Sequence, residues 1–236
     1  MLNNPRFLSL EIPPIGSVLT LDEEQSSHCV RVLRLRAGEN LSVIDGKGNL
    51  ADGVILDANP KRTTIEIKFI RTVEQSSQLQ VVFGLTKPAA LELIFRKCTE
   101  VGIHSFQPLI TDHSLHPGSW NEERWQKIVV EACKQSQEIW FPQICPPITL
   151  NSWLKSRDIN RSLIVCDEEF RNGSKGAPVI SPADILIGPE GGWSEAERDL
   201  LQKMKVSFLG LGPNRLRAET ACLVALTLVK SRLGEI

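Results

Sequence analysis

Between Ile187 and Thr220 the chain reads IGPEGGWSEAERDLLQKMKVSFLGLGPNRLRAET. Two glycine-rich turns lie in this stretch, each preceded by an apolar run and followed by a helical pattern. Gly188-Pro189-Glu190-Gly191-Gly192 can continue neither a strand nor a helix, and its glycines let backbone come close to a ligand. The loop is poorly made for phosphate, because Pro189 has no N–H and Glu190 repels an anion. Neither G-x-x-x-x-G-K-[ST] nor G-x-G-x-x-G occurs, which argues against the common nucleotide loops. The ligand inferred is neutral or cationic near the loop and held by main-chain hydrogen bonds. Two tight turns with no ligand are the alternative; two in succession, with Arg217-x-Glu219-Thr220 entering the last helix, favour a site.

The elements that position these turns follow from periodicity. Ile185-Leu186-Ile187 is a short apolar run. Ser194 with Glu197 forms a capping box, opening a helix whose apolar face is Ala196, Leu200, Leu201 and Met204. A second run covers 206–211, Gly212-Pro213-Asn214 turns the chain, and 216–231 is a helix apolar on most sides, hence buried. Strand, glycine loop and helix, twice over, is the pattern of an α/β sheet with its ligand at the carboxyl ends of the strands.

The remainder bounds the possibilities. The 236 residues suffice for one large domain or two modest ones. A hydrophobic share of 42% with 23% charged residues is that of a globular chain. No apolar stretch reaches membrane-span length and the N-terminus lacks a signal-peptide layout, so a cytoplasmic protein is expected. A net charge of −1 is not that of a protein that coats nucleic acid, so an RNA-directed function would need a local basic patch. The six cysteines form no C-x-x-C, and Cys98, Cys133 and Cys222 fall on apolar helix faces as buried thiols. His113-x-x-His116 stands alone, without the partners a metal site needs.

Residues 1–72 read as β, with strands at 7–12, 17–21, 40–45, 53–58 and 63–71, a hairpin turn at Asp45-Gly46-Lys47-Gly48, and Ile65, Ile67 and Phe69 alternating on one face. Five short strands suggest a small barrel. A helical insertion over 22–33 has Asp22 as N-cap. In HCVRVLRLRAGENL, His28, Arg31, Arg34 and Arg36 form either a solvated edge or a phosphate-contact patch. The polar 72–78 is the expected domain boundary. A strand over 79–85 leads to Pro88, which opens a helix ending at Gly102. Then come a strand at 104–110, a helix from Trp120 to about 139 capped by Ser119 with Glu122, and an extended Pro-rich stretch over 140–150. Trp153 starts a short helix or turn. The strand 162–166 ends in Asp167-Glu168-Glu169, where an acid either binds a ribose hydroxyl or lies in a solvated loop, and 171–178 is a loop.

IGPEGGWSEAE followed by LGLGPNRLRAETA resembles the SPOUT-class RNA methyltransferases, specifically the bacterial 16S ribosomal RNA uracil-N3 methyltransferase family. KPAALELIFRKCTEVGI, with Lys87, Lys97, Thr99, Glu100 and Gly102, and ERWQKIVVEACKQSQ, with Gln135-Ser136, extend the likeness over nearly the whole chain. The resemblance implies a PUA-like β-barrel for RNA recognition over 1–72 and an α/β methyltransferase domain with a C-terminal trefoil knot over 73–236. It also implies S-adenosylmethionine as methyl donor with no metal, 16S ribosomal RNA of the small ribosomal subunit as substrate, and a homodimer.

Donor contacts are then expected from Ile187, Gly188, Pro189, Glu190 and Gly191 in the first loop and from Leu211, Gly212, Leu216, Arg217 and Thr220 in the second. Arg217 is the expected catalytic residue, holding a developing uridine anion, and Glu219 is a base or its partner. His28, Arg31, Arg34, Arg36 and Lys87 are the expected RNA contacts, while Lys97 and Glu100 are expected to pair with each other. The chain departs from the family at His113, where arginine is usual, and in charge sign at Lys134 and Glu138. A second reading is a non-catalytic RNA-binding or ribosome-assembly protein on the same fold.

Overall fold

The computed structural model describes residues 4–75, 77–167, 174–175, 180–204 and 206–236. Glu168 and Glu169, and all of 171–178 except 174–175, lie outside the described residues. The chain divides into two units, Met1–Gln75 with Gln137–Phe141, and Ser76–Ser136 with Pro142–Ile236. The sequence boundary at 72/73 does not anticipate that 137–141 group with the first.

In the first unit, β1 (Arg6–Leu8), β2 (Val18–Thr20), β3 (Asn40–Ile44), β4 (Asn49–Asp57) and β5 (Thr64–Thr72) form one mixed sheet in the order β1-β3-β4-β5-β2. Phe7, Leu21, Leu41, Val43, Ile55 and Ile65 form its core. The alternation expected of β5 breaks at Phe69, which is 54% exposed. A bulge is the cause: Asp52 pairs with Phe69 and Gly53 with Ile67, so the phase shifts. Asp22 caps α1 (Glu23–Ser27) by accepting from Gln25 N–H, and a wider turn over His28–Val32 continues it.

The β3–β4 hairpin is tied by Asp45, whose carboxylate accepts from the backbone of Lys47 and Asn49 at 2.7 and 3.0 Å. Gly46 and Gly48 take φ of 74° and 95°. A Cβ on either would lie 2.4 Å from the Phe141 or Trp140 ring respectively, so the strip 137–141 packs where only glycine fits. Ile139 and Phe141 complete a small cluster with Ile44 and Leu50. Glu138 accepts from the Ile139 and Trp140 amides at 2.8 and 3.1 Å.

The second unit is built on β6 (Leu79–Gly84), α2 (Pro88–Glu100), β7 (Ser105–Ile110), α3 (Glu122–Ser136), β8 (Gln143–Ile144), β9 (Ile148–Thr149), α4 (Leu150–Ser156), β10 (Ser162–Cys166), β11 (Ser174–Lys175), β12 (Ala183–Ile187), α5 (Glu195–Gln202), β13 (Ser207–Leu209) and α6 (Ala218–Leu233). The sheet order is β11-β13-β10-β12-β6-β7-β8, with β9 on β7. All its pairings except β11–β13 are parallel. Parallel strands covered on both faces explain the unbroken apolar runs. Val82, Leu186 and Val165 lie in register and pack with Trp153 of α4 and Leu201 of α5. On the opposite face Phe95 of α2 meets Phe83 and Phe106 edge-on, and α6 packs on α2, β6 and β12.

Some expectations shift by a turn. Asn121 caps α3 by accepting from Arg124 N–H at 3.0 Å, while the side chain of Ser119, the expected cap, lies outside the described residues. α4 begins three residues before Trp153, capped by Thr149. On α5 Ala196 is exposed, and the buried positions are Glu197 and Leu201. Lys97 pairs with Glu100 at 2.9 Å.

One charge cluster closes the amino end of the sheet. Asp184, with a 1% exposed side chain, pairs with Arg161 at 2.6 Å and Arg157 at 3.2 Å. Arg161 also donates to the Gln78 and Ala183 carbonyls, tying three chain segments together. Asp184→Asn would leave Arg157, whose side chain is 8% exposed, buried without its counter-charge. The expected loss is about 3 kcal/mol from the unfolding free energy of this unit, read by urea denaturation; a change near zero would show the cluster is not holding these strands.

Candidate functional site

Because β7, β6, β12, β10 and β13 run parallel, their carboxyl ends share one edge of the sheet. The first glycine loop leaves β12 there. Gly192 takes φ 72° and its N–H donates to Pro189 O at 2.8 Å, making a tight turn. Three neighbours press on this loop where a side chain would not fit. A Cβ on Gly84, at the end of β6, would lie 2.7 Å from Pro189 Cδ; one on Gly191 would lie 2.8 Å from His113 Cβ; one on Gly188 would lie 3.2 Å from the Trp193 ring. Trp193 anchors the loop in the core with Leu186 and Leu201. The Ser194–Glu197 capping box is present in both directions.

The second loop leaves β13 and turns at Gly212, φ 108°. Arg217 is the N-cap of α6, without a side-chain capping bond. The loops are joined: Arg215 Nη2 donates to Glu190 O at 3.1 Å, and Glu190 Oε1 accepts from Thr86 Oγ1 at 3.1 Å. Between them opens a cavity of about 890 Å³, counting its mouth. Its walls include Ile187, Gly188, Pro189, Glu190, Gly191, Leu211, Gly212 and Leu216, residues named above as expected donor contacts.

The same walls include Asp167, one of the strand-end acids weighed as a ribose contact, and Cys166, Trp193, Arg198, Asn214, Arg215, Ala218 and Ala221, which sequence reasoning missed. Two of the expected residues, both at the start of α6, lie outside these walls. Thr220 is exposed and is not a wall of the cavity; Ala218 and Ala221, three apart, share the inward face instead. Arg217 is not a wall of this cavity either, because the extended N-cap carries it into a neighbouring one.

That second cavity, about 1040 Å³ with its mouth, is lined by Lys87, Ala89, Ala90, Leu93, Arg217 and Glu219, and shares Glu190, Arg215 and Leu216 with the first. The two glycine loops thus form a partition with a chamber on each side.

The donor set of the first cavity can be tested against a nucleoside bearing a cationic group. Trp193 Nε1 is buried without a hydrogen-bond partner, a spare donor in the wall. Asp167, its side chain 4% exposed, lies 3.5 Å from Arg198 at the end of β10. Backbone, small apolar side chains, one spare donor and carboxylates suit such a ligand.

The remaining candidates divide. His28, Arg31, Arg34 and Arg36 are all exposed in the first unit, with Arg34 at φ 58° in the left-handed region. His113 and His116 do not converge: the His113 ring meets Gly192 O, and His116 Nδ1 accepts from Gly118 N–H. Lys134 pairs with Glu131 at 2.9 Å, so its sign and that of Glu138 are accounted for by local partners. Burial pushes the Cys98 thiol up to about 12. Burial, then the charge of Asp167, does the same at Cys166.

The chain matches the RNA methyltransferase domain family over residues 73–230 and the RNA methyltransferase PUA domain family over 21–68. A Ribosomal RNA small subunit methyltransferase E of Synechocystis is 33% identical over 230 residues, covering 93% of this chain and 75% of that protein. The Bacillus subtilis protein of the same name is 28% identical, covering 87% of each. Among solved structures, Ribosomal RNA small subunit methyltransferase E from Neisseria gonorrhoeae bound to S-adenosyl methionine superposes with a TM-score of 0.86 at 26% identity, covering 97% of this chain and 98% of that one.

Proposed function

The chain belongs to the RNA methyltransferase family, and from that membership we propose that it moves a methyl group from S-adenosylmethionine to N3 of a uridine in 16S ribosomal RNA of the small ribosomal subunit. The observation that carries this reading is the partition: two glycine loops face one cavity and share a wall with a second, where Lys87, Arg215 and Arg217 stand with Glu190 and Glu219.

The donor belongs in the first cavity, where it supplies an electrophilic methyl on a sulfonium. Backbone of 188–191 and 211–212 holds its nucleoside, Ala218 and Ala221 leave room for it, and Asp167 accepts from its sugar hydroxyls. Glu190, held by Thr86, sets a negative charge near the sulfonium. The acceptor belongs in the second cavity, lifted out of any base stack to reach it. Bringing donor and acceptor into contact where the two cavities adjoin, at Glu190, Arg215 and Leu216, is the main catalytic task. Glu219 takes the N3 proton as the N–CH₃ bond forms and the C–S bond breaks. Arg217, always charged, holds the anion that develops on the uracil. Lys87, at the start of α2, and His28, Arg31, Arg34 and Arg36 in the first unit meet RNA phosphates.

Leu93 on α2 is 42% exposed and Leu228 on α6 37% exposed, on helices that pack together. A second copy of the chain covers this face in the proposed homodimer. Among the described residues no helix is long and apolar enough to cross a membrane, and a ribosomal RNA substrate assigns the protein to the cytoplasm.

Three outcomes are expected. Arg217→Ala lowers transfer of labelled methyl to small subunits by at least ~100-fold while calorimetric affinity for S-adenosylmethionine stays within about threefold; full activity would remove Arg217 from the chemistry. Replacing Arg31, Arg34 and Arg36 together by alanine flattens the log–log salt dependence of RNA binding by about 2, at roughly 0.7–0.9 per phosphate contact, whereas an unchanged slope assigns RNA contact elsewhere. Light scattering gives twice the 26.3 kDa chain mass, and Leu228→Asp returns it to one; a parent that is already a single chain rules out the dimer.

A further inference from the structure

The loop that ends β7 is tied both to the first glycine loop and to the start of α5 that follows it. Its own turn is closed by Ser114, whose Oγ accepts from Thr111 N–H at 2.9 Å. Asp112 N–H donates to Glu197 Oε1 at 3.0 Å, and Asp112 Oδ2 accepts from Ser194 Oγ at 2.6 Å, so the capping box of α5 is locked to the neighbouring strand. Between these ties His113 lies against Gly191, its Cβ filling the space where a side chain on that glycine would go. His113 Nδ1 is 3.2 Å from Gly192 O. A carbonyl only accepts, so the ring nitrogen facing it carries the proton.

We infer that His113 is a positioning residue for the methyl donor: it fixes Gly191 and Gly192, and through them the backbone that faces the first cavity. The inference rests on the methyltransferase reading for the identity of the ligand, and on hydrogen bonding and packing alone for the brace. His113 does not touch the reacting atoms. Its effect is carried by loop order, which a ligand held by main-chain groups feels as affinity.

Two measurements test it. In the ligand-free protein, hydrogen exchange of the 190–193 amides should quicken in His113→Ala and return toward the parent in His113→Asn, whose amide N–H stands near the Nδ1 position. In calorimetric titration with S-adenosylmethionine, His113→Ala should bind roughly three- to tenfold more weakly, with a matching rise in KM, a smaller change in kcat, and recovery in His113→Asn. A parent that binds while His113→Ala binds as tightly overturns the positioning role alone, as does an Asn variant no better than Ala. A parent that takes no S-adenosylmethionine overturns the methyltransferase reading and the positioning role with it.

Discussion

The site depends on main chain approaching its neighbours more closely than side chains allow. Gly84, Gly188 and Gly191 each face an atom group within 2.7 to 3.2 Å of where a Cβ would stand. Pro189 can therefore rest against the end of β6, and Gly191 against His113. Glycine makes this geometry accessible but leaves the unfolded loop with more freedom to lose. The surrounding bonds, from Thr86, Arg215, Asp112 and Ser194, offset that cost and select one shape.

Charge is mixed on both sides of the partition: Asp167 and Glu190 stand with Arg198 and Arg215 in the walls of the first cavity, and Lys87, Arg215 and Arg217 stand with Glu190 and Glu219 in those of the second. The small surplus of cations in the second cavity is local, in a chain of net charge −1. Cys166 stands in the wall of the first cavity, and with burial pushing it up to about 12 it stays a thiol at neutral pH, a poor nucleophile.

Much of this was legible in the order of residues. The two loops, the Ser194–Glu197 box, the Asp22 cap and the Asp45–Gly48 turn are local chemistry, and local chemistry writes itself into short spacings. What was not legible depends on distant partners or on helix phase. Thr220, an expected donor contact, is exposed, whereas Ala218 and Ala221 line the cavity; that phase is set by how α6 packs on α2, β6 and β12. The pairing of Asp167 with Arg198 joins a strand end to a helix, and no spacing encodes it. Phe69 points outward because a bulge in β5 itself, between Ile67 and Phe69, shifts its register against β4. Trp193 carried a signal, an aromatic directly after Gly191-Gly192, but its orphaned N–H is visible only in three dimensions.

The strip 137–141 makes the two units inseparable by a single cut. The polypeptide leaves α3, lays Ile139, Trp140 and Phe141 on the β3–β4 hairpin, and only then enters β8. Deleting everything before residue 76 would strand three bulky apolar side chains in water, inviting aggregation. The first unit expressed by itself would lack part of its own hydrophobic filling. Evolution can thus swap the first unit of such a chain only by exchanging two separate stretches of the gene together.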